Sequence, residues 1–250
     1  MLIADNLTCH PRPAFVDPAT ATPESILDSF VHTTETSGIC SRIVQRLADF
    51  PDPQFRPLLF AGAPGTGKTH ILRYIAGLLE RPLDPAWTKL TPKIPEGARP
   101  EKPLRSLFVT VPSDPEIDLG RQLISTVSVD PALQSSTMEV PFEEFAPLVL
   151  GLAQSLASGE TALVILEGVS QRIGHISGDE KLQRELRLYK MLMEGLAGFG
   201  VLAVLVGDER HLRPEPGEAQ SANPLAALSE SCDFVWLSRN NIVEIYTTAL

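Results

Sequence analysis

The sequence predicts an α/β fold, a parallel sheet of about five strands flanked by helices. Apolar runs without polar alternation recur along the chain, as strands buried on both faces require. Segments with helical spacing separate those runs, the pattern of strand–helix–strand units. A glycine-rich turn joins the first run directly to a helical stripe, which marks where the fold begins.

The elements follow in order. Proline is the punctuation: of 22 prolines, seven fall at or before Pro57 and six between Pro82 and Pro103. Proline removes a donor and fixes the chain outside regular structure. Residues 1–36 are therefore expected to be an extended N-terminal arm, with a domain over 37–250 and a Pro-rich insertion at 81–105. A long loop of that kind is uncommon in a compact domain without a role. A helix is expected over 37–49 and a strand, PLLFA, over 57–61. Ile71, Leu72, Ile75, Leu78 and Leu79 then give a helical stripe. SLFVTV (106–111) is the second strand, followed by helices over 116–127 and 143–157. TALVIL (161–166) is the third strand. Ser177 and Glu180 have capping-box spacing and open a helix carrying Leu182, Leu186, Tyr189, Met193 and Leu196. VLAVLV (201–206) and DFVWL (233–237) complete the sheet.

Composition sets limits on function. The 250 residues are 43% hydrophobic and 21% charged, enough apolar material for a sizeable core. A net charge of −10 argues against coating nucleic acid by bulk positive charge, although a local basic face stays open. Cys9, Cys40 and Cys232 are odd in number and lack CxxC spacing, so reduced thiols in a cytoplasmic protein are expected. Asp5 interrupts the short apolar start, which does not read as a secretory signal. Uncharged stretches such as Gly195 to Gly207, with 13 residues, fall short of the roughly 20 of a membrane span.

Gly62-Ala63-Pro64-Gly65-Thr66-Gly67-Lys68-Thr69 fits G-x-x-x-x-G-K-[ST] in full. Glycines let the backbone curl so that successive N–H groups face phosphate oxygens, and the next helix adds its positive end. Lys68 is placed to bridge β- and γ-phosphates, and the Thr69 hydroxyl to ligate Mg²⁺. With His70 in the following turn, residues 62–70 are the expected cofactor-binding set. Nucleotide binding is the strongest reading the residues allow.

Hydrolysis asks for more, usually an Asp-Glu pair ending a second strand. Here Leu166-Glu167-Gly168 offers one carboxylate. Either Glu167 takes the metal role and the base is lost at Gly168, or Glu167 is the base and Leu166 replaces the metal ligand. The position at the end of a buried strand, where such sites lie, favours function over a solvated core-strand end. At the end of the fourth strand, Asp208 is the second candidate. It reaches either the γ-phosphate region, where like charges repel, or the metal. A loop carboxylate in water is the competing reading.

With these elements placed, the chain resembles the AAA+ ATPases of the TniB/TnsC type, which regulate DNA transposition. The resemblance runs from about Gly38 to Leu237. GAPGTGKTHILRYIA looks like that family's phosphate loop and first helix, and SLFVTVPSDPEIDLGRQLI like its second strand, Pro112-x-x-Pro115 turn and next helix. The stretch from Val164 to Leu212 looks like its Walker B strand, long helix and sensor strand. The resemblance implies ATP and Mg²⁺ as cofactors. It also implies DNA, a transposase or target-selection protein, and further copies of the chain as partners.

This sequence departs from the family at four places. Asp-Glu-x-His becomes Glu167-Gly168-Val169-Ser170, the sensor Thr or Asn is Asp208, and the Arg-Phe pair is replaced at Ser231-Cys232. Almost no chain follows residue 237, so the helical lid with its sensor arginine is expected to be absent. Slow hydrolysis follows, and a closed ring is less expected. Two other classes compete: a nucleotide-gated binding scaffold without turnover, and a small-molecule kinase, for which no arginine-rich lid stands out.

Arg172, Lys181, Arg184, Arg187 and Lys190 cluster around the long helix. The resemblance implies a DNA face. A solvated helix with Glu180–Arg184 and Lys181–Glu185 pairs fits the acidic chain better. The five histidines show no ligand spacing. The adenine cleft is placed around Thr36 to Arg42 only by where this fold usually holds the base.

Overall fold

The computed structural model describes residues 21–48, 56–90, 94, 97–120, 122, 142–208 and 232–240. Its strands are β1 (Leu58–Gly62), β2 (Arg105–Thr110), β3 (Thr161–Glu167), β4 (Leu202–Asp208) and β5 (Asp233–Leu237). All are parallel, in the order β2-β3-β4-β1-β5. The helices are α1 (Pro23–Ser29), α2 (Thr34–Ala48), α3 (Lys68–Glu80), α4 (Phe142–Ser158), α5 (Val169–His175) and α6 (Asp179–Gly198).

Successive strand side chains point to opposite faces, so an unbroken apolar run feeds two cores. Leu58, Phe60, Leu163, Ile165, Leu202 and Val204 face α1, α2 and α3. Leu59, Ala61, Val164, Leu166, Ala203 and Leu205 face α4, α5 and α6. This two-sided burial is why the strands read as continuous rather than alternating. Arg73 of α3 also lies 3.6 Å over the Phe108 ring, fastening α3 to the edge strand β2.

Three expectations need correction. Residues 23–29 of the arm form α1 instead of extended chain. Pro23 sits in the first turn, where its missing N–H costs nothing, and the Thr22 side chain accepts the Ser25 N–H as the N-cap. The helix packs on α3, with Leu27 against Gly77 and the Phe30 ring stacked 3.9 Å from that of Tyr74. Residues 1–20 lie outside the described residues.

The 81–105 segment is not merely a surface loop. It contains a 3-10 turn at Pro85–Lys89, and Trp87 is buried. The indole N–H of Trp87 donates to the carbonyls of Leu78 and Arg81, covering acceptors that the end of α3 leaves open. Ser177 does not cap α6 either. Gly178 does, at φ 98°, without a side-chain bond. The short helix α5 was not expected at all. Of the helix anticipated over 116–127, Leu119, Gly120 and Gln122 are helical, 116–118 are not, and the remainder lies outside the described residues.

Candidate functional site

The ends of β1, β3 and β4 come together at one edge of the sheet. β4 lies between the other two and pairs with both. In open parallel sheets this carboxyl edge is where ligands bind.

The loop of residues 62–67 leaves β1 under tight constraint. A Cβ on Gly62 would stand 2.6 Å from the carbonyl oxygen of Leu237, so the neighbouring strand admits only glycine here. Gly65 and Gly67 have φ of 74° and 95°, the left-handed region that side chains disfavour. Thr66 is buried and its hydroxyl donates to the Ala63 carbonyl at 2.8 Å, closing the turn. Pro64 and Gly65 stay exposed at the rim. Gly67 caps α3 without a side-chain bond, which leaves first-turn N–H groups facing the loop for an anion. Lys68 curls back, its ammonium donating to the carbonyls of Gly62 at 2.8 Å and Ala63 at 2.7 Å.

The Thr69 hydroxyl donates to Oε1 of Glu167 at 2.6 Å. The structure thus brings together the loop's hydroxyl and the acid ending β3. Both are hard oxygen donors, and adjacent ligands of an octahedral magnesium ion at about 2.1 Å stand about 3 Å apart. The residues therefore fit that ion.

The glycine at position 168 has a backbone cause. Gly168 has φ 89°, and a Cβ there would lie 2.9 Å from the Val111 carbonyl oxygen. The neighbouring Val111 N–H is meanwhile bonded to the Glu167 carbonyl at 2.8 Å. The chain turns sharply after Glu167 to start α5, and that turn requires glycine. Two residues on, Ser170 is buried, and its hydroxyl accepts the Asp208 N–H at 2.7 Å. Asp208 itself pairs in register with Gly62. Glu35, in the first turn of α2, accepts both the N–H and the hydroxyl of Ser238 at 2.7 Å, tying the exit of β5 to the same edge.

Other expected residues sit elsewhere. The His70 ring is 5.4 Å from that of Phe30, and its buried Nε2 has no hydrogen-bond partner. Burial lowers its pKa below the ordinary histidine value. Its side chain therefore belongs to the arm contact rather than to the loop. In α2, Thr36, Ser37, Ile39, Cys40 and Ser41 are buried, and the Thr36 hydroxyl takes the Thr33 N–H at 2.8 Å. Between Thr36 and Arg42 only Gly38 and Arg42 are exposed. Ser231 lies outside the described residues; Cys232 is buried, 3.7 Å from the Met193 sulfur.

Arg172 is a correction to the basic cluster. It is 2% exposed, and its guanidinium donates to the Glu185 carboxylate and to the carbonyls of Pro112, Asp114 and Ile117. These bonds use the five donors of an arginine. Arg172 thus fastens α5 to α6 and to the segment leaving β2. Lys181 and Arg184 pair with Glu116 and Asp118 rather than along their own helix, and Lys190 pairs with Glu194. Sequence reasoning missed Ser170 and the Arg172–Glu185 pair. The one available signal was a hydroxyl and an arginine placed between the apolar Val169 and Ile173 of α5.

Among the described residues no helix is long and apolar enough to cross a membrane. No protein-family model matches the chain, and no curated protein is significantly similar to it.

Proposed function

We propose that this chain is a cytoplasmic ATP- and Mg²⁺-binding P-loop protein of AAA+ type, whose output is nucleotide occupancy with slow turnover. The observation that carries the reading is the Thr69–Glu167 hydrogen bond, because it joins the phosphate loop to the acid of a separate strand. The left-handed Gly65 and Gly67 and the uncapped start of α3 support the phosphate role. On binding, Lys68 leaves the carbonyls of Gly62 and Ala63 for the phosphates, whose charge replaces two neutral acceptors. Thr69 and Glu167 hold the cation, which neutralises phosphate charge when bound. Position 168 has no room for a base, which supports the slow hydrolysis expected from Glu167 and Asp208 alone.

The resemblance to the TniB/TnsC regulators adds a process: nucleotide-dependent control of DNA transposition or a related mobile-element event. A second reading is a nucleotide-gated scaffold that binds protein without touching DNA. Four of the five basic residues favour it, since Arg172 is buried and Lys181, Arg184 and Lys190 are paired with acids, while Arg187 is exposed. Calorimetry with ATP tests nucleotide binding, and a DNA gel-shift series across salt concentrations separates the two partners. DNA binding through phosphates weakens with salt. No shift at low salt with ATP present sinks the DNA reading and leaves the scaffold.

A further inference from the structure

Building on the nucleotide-site reading, we propose that Ser170 is a positioning residue. It holds the backbone of Asp208 so that this carboxylate, rather than one at position 168, is the second acid serving the nucleotide-bound cation.

Three independent observations converge on this assignment. The residue after Glu167 is closed to any side chain by its φ of 89° and by the Val111 carbonyl. A second acid at this site therefore has to come from another element than the one that follows Glu167. Asp208 ends β4, between β1 and β3, in register with the first residue of the phosphate loop. Ser170 is a polar residue on the buried face of α5: it is 3% exposed, with Val169 at 0% and Ile173 at 2%. A buried hydroxyl is costly unless bonded. The bond it makes is to the Asp208 N–H, 38 residues away in sequence.

The two sides of the Gly168 turn therefore do related work. Glu167, on one side, bonds Thr69 of the phosphate loop. Ser170, on the other, fixes the exit of β4. A magnesium ion that travels with phosphates takes one or two carboxylates and completes its shell with phosphate and water. Groups that orient such carboxylates without touching the metal change its affinity by roughly 10- to 100-fold when removed.

The test measures affinity for a non-hydrolysable ATP analogue by calorimetry, in magnesium and in EDTA, with the unfolding midpoint of the nucleotide-free proteins alongside. The magnesium-dependent gain should fall roughly 10- to 100-fold in Ser170→Ala, return in Ser170→Thr, and leave the affinity in EDTA unchanged. Asp208→Asn keeps the backbone N–H that Ser170 holds, so it removes only the carboxylate. It should show the same loss, and the double variant no more. A lower unfolding midpoint with an intact magnesium gain in Ser170→Ala would mean a structural role only and overturns the proposal. Additive losses in the double variant do the same. Should Ser170→Ala not fold, an intact gain in Asp208→Asn still overturns it. Absence of affinity in the parent protein overturns the nucleotide reading and this proposal together. Parent binding that Lys68→Ala weakens, with an intact gain in Asp208→Asn, removes this proposal alone.

Discussion

The Thr69 hydroxyl and the Glu167 carboxylate meet at 2.6 Å although 98 residues separate them. The contact depends on sheet order, because β4 separates their strands and sets the spacing between β1 and β3. Each residue alone has a bland reading, a helix-start threonine and a strand-end acid. Their meeting at the carboxyl edge of the sheet is what the fold adds to the motif.

Lys68 should carry much of the ATP affinity. Lys68→Ala removes a charge-assisted contact, so binding should weaken by about 1.5–3 kcal/mol. Stability should move little, because the lysine is half-exposed and its ammonium bonds two loop carbonyls that water can reach in its place. Calorimetry and thermal unfolding on both proteins check this, and equal ATP affinities refute it.

Gly168 should resist repair. Gly168→Glu places a carboxylate beside Glu167 but forces a side chain into the left-handed region, at about 1–2 kcal/mol, and against the Val111 carbonyl. The expected outcome is a destabilised protein with no gain in phosphate release. A faster, equally stable variant would show that the turn relaxes and that a base is accepted there.

The Arg172–Glu185 pair should behave as a structural lock. Removing one partner leaves a buried charge uncompensated, a loss of about 3–5 kcal/mol. Arg172→Ala should therefore unfold well below the parent, whereas replacing both residues with Met and Leu should recover much of the loss. If Arg172→Ala instead left stability intact and abolished DNA binding, the arginine would be a surface contact.

What could be read from the sequence, and what could not, follows the range of the interactions. The glycine turn between β1 and α3 was legible because its pattern is local: glycines at fixed offsets and a lysine and threonine beside them. The strands were legible because burial on both faces writes itself as an apolar run. Helix α1 was not, since Pro23 reads as a breaker until it is placed in a first turn. Trp87 capping α3, and Arg172 holding carbonyls from Pro112 to Ile117, are tertiary bonds with no local pattern. The pairs expected along α6 gave way to tertiary ones: Glu185 is taken by Arg172, and Lys181 and Arg184 face Glu116 and Asp118.

The buried tyrosines set an alkaline limit. Tyr74 and Tyr189 are 0% exposed, and burial raises both phenols above their ordinary value near 10. The unfolded chain releases those protons first, so it binds fewer than the native state above about pH 10, and stability falls as pH rises. Ultraviolet titration should show these two phenols ionising only as the fold is lost. Their ionisation near 10 with the far-ultraviolet spectrum intact would contradict the burial.

Turnover is the most demanding test, because it depends on what surrounds Glu167. In-line attack on a γ-phosphate needs a positioned water, a held metal and charge stabilisation in the transition state. Glu167 is engaged by the Thr69 hydroxyl, which suits a metal-holding acid better than a base facing water. The next position is closed to a side chain, and the Arg-Phe pair that the resemblance would expect to reach a neighbour is Ser231-Cys232 in this sequence. An arginine finger alone is worth about 10³–10⁵ in rate. The isolated protein should therefore release phosphate well below about 1 s⁻¹, the lower end of typical enzymes. Glu167→Gln should weaken magnesium-dependent ATP binding and change this slow rate little beyond the loss of occupancy. The measurement is phosphate release at saturating Mg-ATP for both proteins. Several turnovers per second in the parent, abolished in Glu167→Gln with ATP affinity intact, would make Glu167 a working base and the protein an ATPase in its own right.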